Sequence, residues 1–242
     1  MEPERRQAAV LVLVDAAQLD APQMTIEEGD RHHLERVLRL RPGEAVIASD
    51  GAGRWRSCQW ALAGRLDATG PLMTEPAPEP AVLVGFAVLK GDRTDWVVQK
   101  LTEIGVDRLV PFVAERSVVR WEPGSERALR QSEKWRHVAR EAAMQSRRAR
   151  LPVVEEVQVL VDVIATLRDR GGAGPCLAEP GGSAPSVQRP AVLIGPEGGW
   201  SGSELGLGLP LVGLGPSILR GDTAALAAAV LLCALRSGTI QH

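Results

Sequence analysis

Cysteine is scarce in this chain of 242 residues, and its few copies are scattered. Cys58, Cys176 and Cys233 form no CxxC pair, and no cluster of cysteine with histidine occurs. Disulfide scaffolds and structural zinc sites need several such residues at short spacings. The sequence therefore argues against both, and we expect no metal in the functional site.

Long apolar runs are also missing. The longest, Ala224–Leu235, is well short of the roughly 20 residues that cross a membrane as a helix. The run Ala8–Val14 follows two arginines, as in a signal peptide, but Asp15 ends it early and no small-residue cleavage site follows. We interpret it as a β-strand and expect a soluble, cytoplasmic protein without membrane contact.

Several familiar catalytic and nucleotide-binding motifs do not occur. There is no GxGxxG after a strand, no GxxxxGK[ST], no GxSxG and no HExxH. Only four histidines are present, which argues against a Ser/His/Asp hydrolase. What remains is ordinary globular composition, with 45% hydrophobic and 24% charged residues in a length that suits one large or two modest domains.

Positive charge is concentrated in the middle of the chain. Residues 81–150 carry 14 basic and 9 acidic side chains, whereas the segments on either side are net negative. All the basic residues except Lys90, Lys100 and Lys134 are arginines, whose planar guanidinium suits phosphate and base edges. This clustering favours an anionic partner for the middle segment.

The pattern of apolar residues divides the chain into two domains. Residues 1–72 contain short alternating segments with a turn at Asp50-Gly51, which predicts a small β-rich domain, a candidate barrel. The proline-rich residues 73–80 are predicted to be a linker. Residues 81–242 alternate strands and helices, which predicts a mostly parallel sheet with helices on both faces.

Helix ends and loops in the second half carry local signals. Gly105 is predicted to end a helix over residues 94–104, and Ser132 is predicted to cap the next helix. Asp222 fits the N-cap of a closing helix over residues 223–236. Gly171–Gly174 and Gly181–Pro185 are interpreted as surface loops.

Two apolar strands near the end of the chain run directly into glycine–proline turns. Ala191–Ile194 continues into GPEGG at 195–199, and Leu211–Leu214 continues into GPS at 215–217. Because glycine has no side chain, a flat ligand can come close to its backbone. Ligands of parallel α/β folds also bind at the carboxyl ends of strands. One such turn is more often a plain surface turn, but two together favour a ligand site.

These turns also carry a family resemblance. LIGPEGGWSGSEL (193–205) and LGPSILRGDTAALAA (214–228) resemble the signature of the RsmE family, S-adenosylmethionine-dependent 16S rRNA uridine-N3 methyltransferases of the SPOUT superfamily. Residues 32–46 and 49–55 resemble the family's PUA-like N-terminal domain, and residues 90–119 and 141–152 resemble its central motifs. The resemblance covers nearly the whole chain. It departs at Ser217, Gly221 and Asp222, where the family usually has Arg, Thr and Glu.

The resemblance implies an α/β fold class. The C-terminal domain would be of SPOUT type, with a parallel sheet and a deep trefoil knot. The N-terminal domain would be a small PUA-like β-barrel. The protein would be a homodimer joined through the knotted domain. The implied partner is 16S rRNA or the 30S subunit, with uridine 1498 of the decoding region as the family's target. The implied contacts to S-adenosyl-L-methionine are Leu193, Ile194, Gly195, Glu197, Gly198, Gly199, Leu214, Gly215, Ile218, Leu219, Thr223 and Ala224.

Methylation at N3 dictates the catalytic groups to look for. The nitrogen must lose its proton, and negative charge then spreads to the uracil oxygens. Arg220 is the predicted positive group, with pairing to Asp222 as the structural alternative. Glu197 or Asp222 is the predicted proton acceptor, and the structural alternatives are bonding to backbone N–H groups for Glu197 and helix capping for Asp222.

RNA contacts are predicted mainly from matches to the family motifs. They are His33, Arg36, Arg39, Lys90, Arg93, Arg116, Gln145, Arg147 and Arg148. Basic and aromatic residues also have structural alternatives. Arginines along a helix more often form a solvated face than an RNA contact. Lys100 and Glu103 are spaced to pair with each other, and Trp135 is expected in the core.

Two other functions remain open at this point. A non-catalytic rRNA-binding assembly factor would use the same fold, although the intact glycine turns argue against it. A SPOUT enzyme that methylates ribose 2′-oxygens is kept open by the altered 217–222 segment, while the PUA-like match and residues 145–148 favour base methylation.

Overall fold

The computed structural model describes residues 3–37, 39–169 and 174–241. They form two compact units. Unit 1 comprises Met1–Ala77 and Arg140–Leu151, and unit 2 comprises Pro78–Ala139 and Pro152–His242.

Unit 1 is built on a mixed sheet. Its strands are β1 (Val10–Leu13), β2 (Gln23–Thr25), β3 (Ala45–Ser49), β4 (Arg54–Trp60), β5 (Arg65–Ala68) and β6 (Met73–Thr74). Their order is β1-β3-β4-β5-β2, with β6 on β4, and only the pairing of β1 with β3 is parallel among these described strands. The helices are α1 (Pro3–Gln7) and α2 (Glu28–His32), which continues into a π-helical turn (His33–Val37). The predicted hairpin at Asp50-Gly51 is confirmed, because β3 and β4 pair antiparallel around it.

Unit 1 differs from the predicted first domain in two places. Met73–Thr74 is a strand rather than linker, and Arg140–Leu151 joins this unit although it lies far along the chain. The carbonyl oxygen of Ala149 accepts hydrogen bonds from the Gly53 amide, at 2.9 Å, and from the Ser49 hydroxyl, at 3.2 Å. These bonds dock the distant segment on the β3–β4 turn, and no local pattern signals them.

Unit 2 is built on a parallel sheet. Its strands are β7 (Leu83–Ala87), β8 (Arg108–Val113), β9 (Val153–Val154), β10 (Gln158–Val159), β11 (Cys176–Ser183), β12 (Ala191–Ile194) and β13 (Leu211–Val212). Their order is β10-β8-β7-β12-β11-β13, with β9 on β8, and each of these pairs is parallel. The helices are α3 (Arg93–Ile104), α4 (Glu126–Gln145), α5 (Leu160–Asp169), α6 (Gly202–Leu205) and α7 (Gly221–Arg236). The residues of α4 from Arg140 onward belong to unit 1. The predicted parallel α/β architecture is confirmed.

Helices cover both faces of this sheet, as predicted. Val84 and Phe86 of β7 lie in one apolar cluster with residues of α3, α4 and α7. Leu83 and Ala87 lie in another with residues of α5. This division follows from the alternation of side chains along a strand. No helix in the described ranges is long and apolar enough to cross a membrane.

One of the three predicted helix ends is confirmed and two are wrong. Gly105 ends α3 in the left-handed conformation, with φ 111°. Ser132 lies inside α4, where its hydroxyl donates to the Ala128 carbonyl at 3.0 Å, as mid-helix serines do. Asp222 lies in the first turn of α7 and Arg220 occupies the N-cap position, so the acidic residue marks the right helix end but not the cap.

The predicted loop at Gly181–Pro185 is partly strand. β11 extends to Ser183, and both Ala178 and Ser183 pair with Val212, so the residues between them bulge out of the ladder. A β-carbon at Gly182 would lie 2.6 Å from the backbone of Leu211 and Val212, so only glycine fits this close approach. Of the other predicted loop, residues 171–173 lie outside the described residues.

Candidate active site

A cavity of about 390 Å³ opens at the carboxyl ends of strands in unit 2. Its lining residues come from the middle of β11, the turns after β12 and β13, and the start of α7. They are Ala178, Glu179, Pro180, Ile194, Gly195, Pro196, Glu197, Gly199, Trp200, Leu214, Gly215, Ser217, Ile218, Leu219, Arg220, Gly221 and Ala224. Ligand pockets in proteins measure about 300–1,000 Å³, so this cavity is large enough for a small molecule.

Most of the residues predicted to hold a cofactor line this cavity. They are Ile194, Gly195, Glu197, Gly199, Leu214, Gly215, Ile218, Leu219 and Ala224. Leu193, Gly198 and Thr223 are not among the lining residues. Leu193 is fully buried in the cluster on the α5 face of the sheet, because alternate residues of β12 face opposite sides. Thr223 lies exposed at the start of α7.

The third wall of the cavity is absent from the site residues predicted from the sequence. Ala178, Glu179 and Pro180 form it, at the point where β11 begins to bulge. The signal was present, because EPGG at 179–182 is a third place where a strand runs into proline and glycine. The sequence pattern predicts a surface loop over Gly181–Pro185, which includes only the two glycines of this stretch.

Trp200 forms the floor beneath the first glycine turn. It is 5% exposed, and its ring stacks on Phe112 with centroids 6.2 Å apart. A β-carbon added at Gly195 would lie 2.9 Å from the Trp200 ring, closer than real β-carbons come to other atoms. Gly199 has φ 68°, a conformation that favours glycine. The turn therefore needs glycine for its fit against Trp200 and for its backbone shape.

Three charged side chains line the cavity. The carboxylate of Glu197 lies 3.8 Å from the Arg93 guanidinium. Arg220 is exposed and Glu179 is half-buried, and within the described part of the chain neither makes an ion pair or a side-chain hydrogen bond. The alternative in which Arg220 pairs with Asp222 is therefore not observed, since the carboxylate of Asp222 accepts from the Thr223 amide at 2.8 Å. One cation and two carboxylates are thus available to a ligand.

A hydrogen-bond network lies beside the first glycine turn. Ser201 caps α6, and Glu204 accepts from the Ser201 amide at 2.8 Å and from the Glu115 amide at 2.9 Å. The Ser203 hydroxyl donates to the Glu115 carboxylate at 2.6 Å. Hydrogen bonds from the hydroxyls of Ser201 and Ser203 hold the pKa of Glu115 below its ordinary value.

The predicted RNA-binding residues fall into both units. Lys90, Arg93 and Arg116 belong to unit 2, whereas Arg36, Arg39, Gln145, Arg147 and Arg148 belong to unit 1. The side chain of His33 lies outside the described residues. Arg39 and Arg147 both have left-handed backbone, with φ 53° and 57°, and the Arg147 guanidinium donates to the Arg6 carbonyl at 2.6 Å. The sequence pattern predicts that residues 145–148 belong to the second domain, but they belong to unit 1.

Structural roles that were expected for three residues are confirmed. Lys100 and Glu103 form an ion pair of 2.8 Å. Trp135 is 1% exposed, and its indole N–H donates to Asp95 at 2.9 Å, so it belongs to the core.

Within the described ranges, no group of three or more histidine, cysteine, aspartate or glutamate residues is arranged to hold a metal.

Comparisons with known proteins agree with this arrangement. Residues 76–233 match a model of the RNA methyltransferase domain, and residues 26–64 match a model of the RNA methyltransferase PUA domain. Ribosomal RNA small subunit methyltransferase E of Mycobacterium bovis is 33% identical over 238 residues, covering 91% of this chain and 89% of that protein. The protein of the same name from Bacillus subtilis is 29% identical and covers 86% of this chain and 88% of that protein.

A solved structure shows the same fold. It is ribosomal RNA small subunit methyltransferase E from Neisseria gonorrhoeae bound to S-adenosyl methionine, with a TM-score of 0.76 and 25% identity. The match covers 93% of this chain and 97% of that chain. Because the methyltransferase model spans more than half of the chain and the mycobacterial relative aligns over nearly all of it, this chain belongs to the ribosomal RNA small subunit methyltransferase E (RsmE) family.

Proposed function

We propose that this protein transfers the methyl group of S-adenosyl-L-methionine to N3 of a uridine in 16S rRNA, at the family's position 1498. One observation carries the proposal. The cavity at the strand ends of unit 2 is walled by the two glycine turns, in a chain of the RsmE family, and a relative with the same fold holds S-adenosyl methionine.

The chemistry of the cavity fits this cofactor. S-adenosylmethionine has a flat adenine, a cationic sulfonium and ammonium, and a carboxylate. Ile194, Leu214 and Leu219 offer apolar surface to the base, and the glycine turns offer backbone N–H and C=O groups. Glu179 and Glu197 supply negative charge, and the Glu179 carboxylate has no partner in the described part of the chain. The lining therefore suits a flat molecule with cationic centres.

The cofactor supplies an electrophilic methyl group on sulfur and leaves as a neutral thioether. The residues of this chain act on the uracil. Arg220 presents its guanidinium at the cavity, where it can stabilise the negative charge that reaches the uracil oxygens as N3 loses its proton. Ile218, which is 89% exposed and lines the cavity, offers apolar contact to the uracil ring.

The proton acceptor is one of two carboxylates. Glu197 lines the cavity, whereas Asp222 does not and already accepts from the Thr223 amide. We therefore propose Glu197 as the acceptor of the N3 proton, with the Arg93 guanidinium 3.8 Å from its carboxylate. Asp222 then serves α7, where a carboxylate in the first turn interacts favourably with the helix dipole.

The remaining features extend the same proposal. We propose that unit 1 is the PUA-like barrel that positions rRNA, using Arg36, Arg39, Arg147 and Arg148 for phosphate contacts. Unit 2 carries the deep trefoil knot of the family and the homodimer contact. Because the substrate belongs to the ribosome, the proposed place of action is the cytoplasm.

The test is methyl transfer from labelled S-adenosylmethionine to 30S subunits and to naked 16S rRNA that lack the modification. The expected product is N3-methyluridine at one position, mapped by nuclease digestion and mass spectrometry. A methyl group on a ribose 2′-oxygen would contradict the proposed base chemistry. Cofactor binding without any transfer would favour a non-catalytic assembly factor.

A further inference from the structure

Arg116 holds the first glycine turn from outside the cavity. It lies between β8 and α4, and its Nη1 atom donates to the carbonyl oxygens of Gly198, at 3.3 Å, and Trp200, at 3.1 Å. One nitrogen thus bridges a carbonyl of the turn and the carbonyl of Trp200, the residue that follows it. The resemblance had suggested an RNA contact for Arg116, but this geometry directs it to the protein backbone.

Gly198 faces Arg116 and not the cavity. A β-carbon at Gly198 would lie 3.2 Å from the Arg116 β-carbon and 3.4 Å from its carbonyl oxygen. The two segments are therefore already in contact and leave almost no room for a side chain. The other described residues of the GPEGG turn, Gly195, Pro196, Glu197 and Gly199, do line the cavity. Arg116 therefore supports the outer side of a turn whose inner side is the cavity wall.

Glu115, which precedes Arg116 in the chain, contacts residues 203 and 204, a few positions beyond the glycine turn. Its amide donates to Glu204, which is 7% exposed, and its carboxylate accepts from Ser203. Residues 115 and 116 consequently hold positions 198–204 at both ends. These hydrogen bonds reduce the conformational freedom of the glycine turn, so that a ligand has less of it to remove on binding.

We propose that Arg116 is a positioning residue, which shapes the glycine turn for the cofactor, and not a contact to an RNA phosphate. This inference rests on the proposed function, since the ligand of the cavity is taken to be S-adenosylmethionine. It accounts for the need for glycine at position 198, which the cavity itself does not explain.

Two substitutions at position 116 separate the two roles. Arg116→Ala removes both hydrogen bonds and the charge. Arg116→Lys keeps the charge but replaces the planar fork with a compact ammonium, which meets phosphate well but does not reproduce the guanidinium geometry. Gly198→Ala is a third variant that pushes the segments apart by a few tenths of an ångström and leaves every charge in place. The control is Arg130→Ala, an exposed arginine paired with Glu126 on α4.

The measurements are calorimetric affinity for S-adenosylmethionine without RNA, the salt dependence of rRNA binding, and the thermal unfolding temperature. We expect Arg116→Ala and Gly198→Ala to weaken cofactor affinity about tenfold, which corresponds to about 1.4 kcal/mol. Arg116→Lys should not restore it. The salt slope of RNA binding and the unfolding temperature should match those of the control.

Other results would overturn the inference. A phosphate contact predicts unchanged cofactor affinity, a salt slope reduced by about one for Arg116→Ala, and rescue by Arg116→Lys. A lower unfolding temperature for Arg116→Ala with normal cofactor affinity for Gly198→Ala would mean that the contact serves only the fold. If the wild-type protein binds no S-adenosylmethionine, the proposed function itself fails, whereas normal wild-type binding with unaffected variants refutes only the role of Arg116.

Discussion

The indole nitrogen of Trp200 donates a 2.9 Å hydrogen bond to the carbonyl oxygen of Ala178. Trp200 follows the glycine turn after β12, and Ala178 lies in β11, so the bond joins two walls of the cavity. The same ring packs against Gly195 and stacks on Phe112. The buried Trp200 side chain therefore helps to fix the position of the turn.

Gly195→Ala should weaken cofactor binding by an order of magnitude or more. Its β-carbon would meet the Trp200 ring at 2.9 Å, so either the turn or the indole must move, and both line the cavity. Calorimetry with S-adenosylmethionine measures the effect. The matched control is Gly202→Ala, because a β-carbon there meets nothing within 4 Å. Equal affinity for the two variants would show that the turn does not form the cofactor site.

Arg220→Ala should reduce the rate of methyl transfer about 10²–10³-fold, as expected for loss of a donor aimed at developing charge. Cofactor and RNA affinities should stay within a few-fold of wild type, because the interaction is made in the transition state. Single-turnover methylation with saturating RNA is the measurement, with Arg130→Ala as the control arginine. If affinity and rate fall together, Arg220 serves binding and not catalysis.

Glu115 should make stability depend on pH in the acidic range. Hydrogen bonds from Ser201 and Ser203 hold its pKa below the ordinary value of 4.5. The ionised carboxylate therefore stabilises the folded protein above that pH, and this contribution is lost as the pH falls through the lower folded-state pKa. Glu115→Gln removes the contribution at every pH. Thermal unfolding should show wild type more stable than Glu115→Gln at pH 7, with a gap that narrows below pH 4.5. A gap that is constant with pH would contradict this account.

Gly53→Ala should destabilise unit 1 by about 2 kcal/mol or more. Gly53 has φ 104°, and a β-carbon there would lie 2.5 Å from the Arg150 guanidinium and 2.6 Å from the Glu75 carbonyl oxygen. The change would displace the segment that docks on the β3–β4 turn. Gly29→Ala is the control, since its β-carbon meets nothing within 4 Å and its backbone is not left-handed. Denaturant unfolding that places both variants within about 0.5 kcal/mol of wild type would refute the docking role.

Replacing Arg147 and Arg148 with alanine should weaken rRNA binding and flatten its salt dependence. Each lost phosphate contact lowers the slope by about 0.9 for a duplex and 0.7 for a single strand. Cofactor binding should be unaffected, because these arginines belong to unit 1 and the cavity belongs to unit 2. Filter binding across a salt series measures the slope, with Arg130→Ala as the control. An unchanged slope would mean that the two arginines serve unit 1 alone, where Arg147 already bonds the Arg6 carbonyl.

Local signals predicted the elements of this fold well. The end of α3 at Gly105, the hairpin at Asp50-Gly51 and the parallel strands of unit 2 all follow from properties of a few neighbouring residues. The errors at Ser132 and Asp222 have the same origin. Both residues are good caps in isolation, but α4 begins at Glu126, after Ser125, whose hydroxyl accepts from the Ala128 amide at 3.3 Å. The helix α7 begins at Gly221 without a side-chain cap.

By itself, the sequence determined the parallel sheet and the two glycine turns at its strand ends, because periodicity and bare backbone are local properties. Only the tertiary structure decided that Gly198 faces Arg116, 82 residues away, and that Ala149 bonds Ser49 across 100 residues. It also placed Glu179 on the cavity wall, through a bulge in β11 against β13. These arrangements depend on hydrogen bonds and close contacts between distant segments, for which a linear pattern of residues carries no signal.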